Sequence, residues 1–99
     1  MAYKFVFRGD SRKEFEHLTQ GQKKAISDKL KILEIDPLAE GKTLERYAPW
    51  RRVKAGDVRV IYDPRPDANG RLFIFRFGLD HSVYELDDLF KAYIGDSPA

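Results

Sequence analysis

The chain contains no cysteine. Disulfides and cysteine-based metal sites are excluded, and nothing in the composition asks for an oxidising compartment. Long apolar runs are missing as well. No segment approaches the roughly 20 consecutive apolar residues that a membrane-spanning helix needs. The opening residues MAYKFVFRGD hold no apolar stretch long enough for a secretory signal. A dominant charge of one sign is also lacking: the net charge is only +2, too small for a polycation that coats nucleic acid. There is no glycine-rich phosphate loop, no cluster of metal ligands, no Ser-His-Asp set, no internal repeat and no low-complexity tract. The expectation is a soluble cytoplasmic protein, one domain over residues 1–99, with no cofactor and no metal.

What is present is more specific. Hydrophobic residues make up 42% of the chain and include one Trp, five Tyr and seven Phe, enough for a core. Charges are mixed in sign but unevenly spread. Lys42 to Arg59 contains six Lys or Arg against two acids, while Asp80 to Asp88 contains four acids and no Lys or Arg. A local basic patch serves phosphate even where the overall charge is bland.

Residues 3–8 alternate, with Tyr3, Phe5 and Phe7 on one side, and read as a strand with a buried aromatic face. Ser11 and Glu14 fit a capping box that opens a short helix through Phe15 and Leu18. Thr19 and Gln22 form a second box at the start of a longer helix, where Ile26, Leu30 and Leu33 recur on one face. Pro37 ends that helix, since the residue before a proline is biased away from α. Residues 39–49 read as an extended loop and 64–70 as a loop rich in turn formers. Residues 71–77 are apolar at nearly every position, as expected of a central strand covered on both faces. Gly78 breaks it, and a last helix is expected over about Glu85–Ile94, packing through Leu86, Leu89, Phe90 and Tyr93. The tail after it is expected to fray. Runs of each element type, rather than strict alternation, argue an α+β fold. The expected architecture is a small, mainly antiparallel sheet of about four strands with a helical hairpin on one face.

The hairpin over 50–63 is the most informative segment. Gly56-Asp57 between two alternating runs signals a two-residue turn. That turn sets Lys54 opposite Arg59, Val53 opposite Val60 and Arg52 opposite Ile61. One face then carries Val53, Val58, Val60 and Tyr62, with Arg51 at its end. The other carries Arg52, Lys54 and Arg59. Like charges directly opposite one another are unfavourable in a sheet. Local stability does not explain Lys54 facing Arg59, so an anion is the natural ligand.

The whole pattern resembles the RelE/ParE superfamily of toxins from bacterial toxin–antitoxin pairs. The residues that carry the resemblance are the L-x-x-x-P step from Leu33 to Pro37, the segment RVKAGDVRVIY over Arg52–Tyr62, and GLDHSVY over Gly78–Tyr84. These pieces span almost the whole chain. The central segment and its downstream V-Y are fairly specific for the superfamily and much less so for one branch. The resemblance implies a RelE-like fold, a cognate antitoxin as partner, and, in the RelE branch, a metal-independent, ribosome-dependent endoribonuclease of messenger RNA that inhibits translation. By position it makes Arg52 and Lys54 the second-strand cations, Arg59 the third-strand arginine and Tyr84 the late tyrosine. Leu79 and Asp80 stand where two basic residues commonly follow the glycine, which leaves His81 as the candidate for proton transfer. The alternative is a ParE-like toxin that inhibits DNA gyrase by binding it. The missing basic pair after Gly78 points that way, and the intact second-strand cations point against it.

The chemistry of such a site follows from RNA itself. The 2′-hydroxyl is a built-in nucleophile, so cleavage needs alignment, charge stabilisation on the phosphorane and proton transfer at both ends. Arg59 suits bidentate contact with two phosphate oxygens. Arg52 and Lys54 suit the developing charge or a neighbouring phosphate, and Lys54 is a second candidate base. Histidine titrates near neutral pH, so His81 suits general acid or base work. Tyr84 suits orienting the 2′-hydroxyl or stacking on a base. Trp50 is a candidate base-stacking platform, with an anchor at the sheet end as its other reading. The plain alternatives stay open: Arg52 and Lys54 as a solvated edge, Arg59 paired with Asp80 or Asp57, His81 idle in a loop, Tyr84 in the core. Arg65 and Arg76 are weaker candidates for extending the patch, and His17 receives no role. The last helix is expected to be the element an antitoxin shields or displaces.

Overall fold

The computed structural model describes residues 2–95. The elements run β1 (Lys4–Phe7), α1 (Ser11–Glu16), α2 (Gln20–Ile35), β2 (Lys42–Thr43), a 3-10 turn (Glu45–Tyr47), β3 (Arg51–Ala55), β4 (Val58–Asp63), β5 (Arg71–Gly78), a second 3-10 turn (His81–Tyr84), α3 (Asp87–Phe90) and a closing π-type turn (Lys91–Gly95). The sheet order is β1-β5-β4-β3-β2. β1 lies parallel to β5 and the other neighbours are antiparallel. The α+β class and the helical hairpin are as expected. The strand count is five rather than about four, because the loop expected over 39–49 contributes Lys42 and Thr43 as an edge strand against β3. Two residues are too few to leave an alternation signal. Among the described residues no helix is long and apolar enough to cross a membrane.

The helical hairpin covers one face of the sheet. Ile26 and Leu33 of α2 are fully buried against Val53, Ala55, Val58, Val60, Tyr62, Ile74 and Phe77, with Phe5, Phe7, Phe15, Leu18 and Leu30 around them. α2 starts on the expected box: Gln22 N donates to Thr19 Oγ1 at 3.1 Å, and Thr19 N donates to Gln22 Oε1 at 2.9 Å. It ends where Asp36 leaves helical geometry before Pro37, and the Tyr62 hydroxyl donates to the Pro37 carbonyl at 2.8 Å.

The expected box at Ser11 does not form. Asp10 occupies the N-cap without a side-chain cap, and Ser11 is buried with its hydroxyl donating to the Arg8 and Ile74 carbonyls at 2.7 and 3.2 Å. Glu14 turns to the sheet instead, accepting from Phe77 N at 3.0 Å and Arg76 Nε at 2.8 Å. The reason is tertiary. β1 pairs with β5 only as far as Ile74, so the edge of β5 beyond it needs another acceptor. Glu34 of α2 plays the same part for β1, accepting from Phe5 N at 3.0 Å. Both carboxylates occupy sheet-edge groups that another strand would otherwise pair.

β5 is covered on both faces, but not by simple alternation. Its pairing with β4 steps from Ile61↔Arg76 to Tyr62↔Ile74, which leaves Phe75 as an extra residue. This bulge inverts the pleat. Ile74 and Phe77 both face the helices, and Phe75 joins a second cluster on the opposite face with Tyr47, Trp50, Ile61, Val83 and Leu86. The C-terminal segment lies over that second cluster. The helix expected over 85–94 is broken: a 3-10 turn precedes it, α3 is one turn long, and a π-type turn follows. Its apolar side is as read, with Leu86 buried, Leu89 and Phe90 half-buried and the Tyr93 ring 4.9 Å from Phe75. Asp87 ties α3 down by accepting from the Tyr47 hydroxyl at 2.6 Å and Arg46 Nη2 at 3.3 Å. The tail beyond Gly95 lies outside the described residues.

Candidate functional site

The cationic face is built by strand register. Gly56 takes φ +61°, the left-handed geometry that the first position of this tight turn requires. The turn sets Arg52 opposite Ile61, Val53 opposite Val60 and Lys54 opposite Arg59, as the sequence implies. Directly opposed residues share a face, so Arg52, Lys54 and Arg59 point away from the helices, the first two exposed and the third half-buried. β2 adds a member that sequence reasoning missed. Lys42 lies directly opposite Arg52. The only signal for it was membership of the basic run, because its strand is too short to read. Among the described residues none of these four cations forms an ion pair.

Nearby carboxylates are committed elsewhere. Asp57 accepts from Gln22 Nε2 at 3.3 Å, and Glu40 pairs with Lys29. Arg59 does not bond Asp57 or Asp80; its Nη1 donates to the Leu79 carbonyl at 2.7 Å. That bond ties the middle of β4 to the turn after β5. Asp80 caps the turn, accepting from Ser82 N at 2.9 Å and the Ser82 hydroxyl at 2.6 Å. The Ser82 hydroxyl, then the Ser82 amide, hold its carboxyl below the usual range, and the Arg59 and His81 charges add to this. Asp80 thus has a local structural duty at a position where the resembled motif commonly has a base.

The turn itself brings His81 and Tyr84 together. A 3-10 turn has three residues per turn, so side chains at i and i+3 eclipse. Their ring centroids are 5.7 Å apart, tilted by 50°. Gly78 lets the turn close over the sheet end: it faces Arg59 across the ladder, and a Cβ there would meet Val83 Cβ at 3.0 Å.

Two open hollows flank Arg52. One, of about 340 Å³, is lined by Leu44, Arg52, His81 and Tyr84. The other, of about 250 Å³, is lined by Glu40, Gly41, Lys42, Arg52, Val53 and Lys54. The structure therefore brings Arg52 to His81 and Tyr84, joins Lys54 to Arg59 by register, and joins Arg59 to the same turn through Leu79.

Trp50 is not a base-stacking platform. It is 0% exposed, with Phe75 stacked on one ring face at 3.9 Å and Phe90 edge-on at 5.0 Å. It is the sheet-end anchor, and a nucleobase has no access to its rings. Arg65 and Arg76 do not extend the patch either, being engaged by Asp63 and Glu14. The His17 ring bonds the Lys13 carbonyl at 2.7 Å. Among the described residues no group of three His, Asp or Glu side chains is placed to share a metal ion.

No family model and no curated protein matches the chain. Solved structures do. A variant of the Escherichia coli toxin RelE in its free state aligns with a TM-score of 0.77 at 20% identity, over 95% of this chain and 100% of that one. The chain has the RelE fold. A chain of the RelBE2 toxin–antitoxin complex of Mycobacterium tuberculosis aligns with a TM-score of 0.67 at 24% identity, over 81% of this chain and 100% of that one. The E. coli RelE variant bound to the antitoxin peptide RelBc aligns with a TM-score of 0.70 at 21% identity, over 90% of this chain and 94% of that one. On this RelE fold, the hairpin cations and the His81–Tyr84 turn lie on the sheet face that the helical hairpin leaves free.

Proposed function

We propose that the chain is the toxin of a type II toxin–antitoxin pair, acting in the bacterial cytoplasm as a ribosome-dependent endoribonuclease of messenger RNA. The observation that carries this reading is the hollow where Arg52 meets His81 and Tyr84, beside the unpaired Lys54 and Arg59. In the reaction, the 2′-oxygen attacks the adjacent phosphorus and the bond from phosphorus to the 5′-oxygen breaks. The 2′-hydroxyl proton passes to a base and another proton reaches the leaving oxygen. The products are a 2′,3′-cyclic phosphate and a 5′-hydroxyl. Because RNA supplies the nucleophile, this route requires no metal. Arg59 and Arg52 hold the phosphorane oxygens, His81 and Lys54 are the proton-transfer groups, and Tyr84 orients the 2′-hydroxyl or stacks on a base.

The cognate antitoxin is the second partner of this reading. It is supported by the solved RelE variant bound to a RelBc peptide. The C-terminal segment over Trp50 and Phe75 is the element such a peptide would shield or displace, and hydrogen exchange there should change on binding.

Purified protein added to an in vitro translation reaction should cut message within the ribosomal decoding site. Arg59→Ala should lower cutting by about 10²–10³-fold, the usual effect of losing one preorganised donor to a developing oxyanion. Uncut message with folded wild-type protein would overturn the reading. One observation favours a second one, gyrase inhibition by binding in the manner of ParE: Asp80 carries a stabilised negative charge beside Arg59, where phosphate would approach. Inhibited supercoiling with intact message would select it.

A further inference from the structure

We infer that the hollow between β2 and β3 is a second phosphate subsite, so that the chain grips two successive phosphates of one RNA strand. This rests on the nuclease reading above and extends it to Lys42. Three cations, Lys42, Arg52 and Lys54, line this hollow without an ion pair among the described residues. The one carboxylate at its rim, Glu40, is paired with Lys29. Two like-charged pairs, Lys42 with Arg52 and Lys54 with Arg59, lie directly opposite across neighbouring ladders. Such an arrangement costs stability unless an anion offsets it.

The backbone geometry is also specific. Gly41 takes φ +82°, and a Cβ there would lie 2.4 Å from the Arg52 carbonyl oxygen. Only glycine lets the chain come this close to β3 and deliver Lys42 to Arg52 in register. β2 then stops, and among the described residues no strand lies against that edge of Val53 and Lys54. The hollow opens there.

Arg52 lines both hollows, so the two sites are adjacent by construction. Lys42 stands one strand over from Arg52, a step of about 4.8 Å, so a phosphate next to the one at Arg52 is within its reach. One phosphate is held for cleavage at Arg59, Arg52, His81 and Tyr84. Its neighbour is held by Lys42 beside Arg52, while Lys54, which also lines this hollow, keeps its proton-transfer role at the first. The second contact fixes strand polarity and register without reading a base.

The test uses two short oligonucleotides carrying 2′-O-methyl groups, which cannot be cleaved: a dinucleotide with one phosphate and a trinucleotide with two. Wild-type protein should bind the trinucleotide more tightly. Lys42→Ala should weaken trinucleotide binding by about ten-fold, the loss of one charge-assisted contact, and leave dinucleotide binding unchanged. The slope of log affinity against log salt should fall by about 0.7 for the trinucleotide alone. Lys42→Arg should restore both. Equal losses on the two ligands, no loss on either, or no binding of either would overturn the subsite. The nuclease reading fails separately, on uncut message, so protein that distinguishes the two ligands yet cuts nothing sinks that reading alone.

Discussion

The two faces of the sheet are made by the same strands and solve different problems. On the helix side Val53, Ala55, Val58, Val60 and Tyr62 of the β3–β4 hairpin pack into one apolar cluster, and Ile26 and Leu33 close the core from above. On the other side apolar cover reaches only part of the sheet. Trp50, Ile61 and Phe75 lie under the C-terminal segment, while Arg52, Lys54 and Arg59 remain open beside it. The first face gains by excluding water. The second keeps like charges in close register, an arrangement that does nothing for folding. A fold carries such a cost where a ligand of opposite charge offsets it.

This contrast can be broken by substitution, most severely on the helix side. Leu33→Ala should cost about 2–5 kcal/mol in urea unfolding, as for a fully buried leucine whose site cannot collapse. Cutting by the protein that stays folded should be unchanged; a smaller loss would show that the helical hairpin packs more loosely than its burial implies. Gly78→Ala tests the seam between the faces. The new Cβ must push Val83, so we expect about 1–3 kcal/mol of overpacking cost together with lost cutting as His81 and Tyr84 shift. Stability loss without activity loss would unlink the turn from the site. A smaller effect belongs to Thr19→Ala, which removes the α2 cap for about 1 kcal/mol and should leave RNA binding untouched by anisotropy.

The smallest effect is that of pH on the Asp80 turn. The carboxyl is depressed in the folded state, so its contribution is present above the ordinary carboxylate range and is lost as pH falls through the folded value. Acidification should therefore loosen residues 81–84 before the sheet responds. Amide signals of Ser82 and Val83 that hold still through an acid titration would remove Asp80 from the account.

Much of the fold was legible because it depends on local rules. The Gly56-Asp57 turn, the Thr19 box, the Pro37 stop and the two-sided β5 each follow from a few neighbouring residues. The parts that were not legible depend on distant ones. Glu14 had a local partner in Ser11 and chose the bare edge of β5, 63 residues away. The bulge at Phe75 reversed the pleat where the sequence shows unbroken apolar character. Trp50 and Arg52 look equivalent as neighbours of a basic run, but Phe75 and Phe90 bury only the first. Lys42 was visible as a charge and invisible as a site residue, since the Gly41 approach to Arg52 is a contact between segments.

By itself the sequence determined the hairpin, its two-faced register and the cluster of Arg52, Lys54 and Arg59, because strand period and turn chemistry act over a handful of residues. Tertiary structure alone decided which cations share a hollow, that Lys42 joins them, and that His81 and Tyr84 meet Arg52. Those outcomes depend on how far chain segments approach one another, and that distance is set by packing, which no local pattern records.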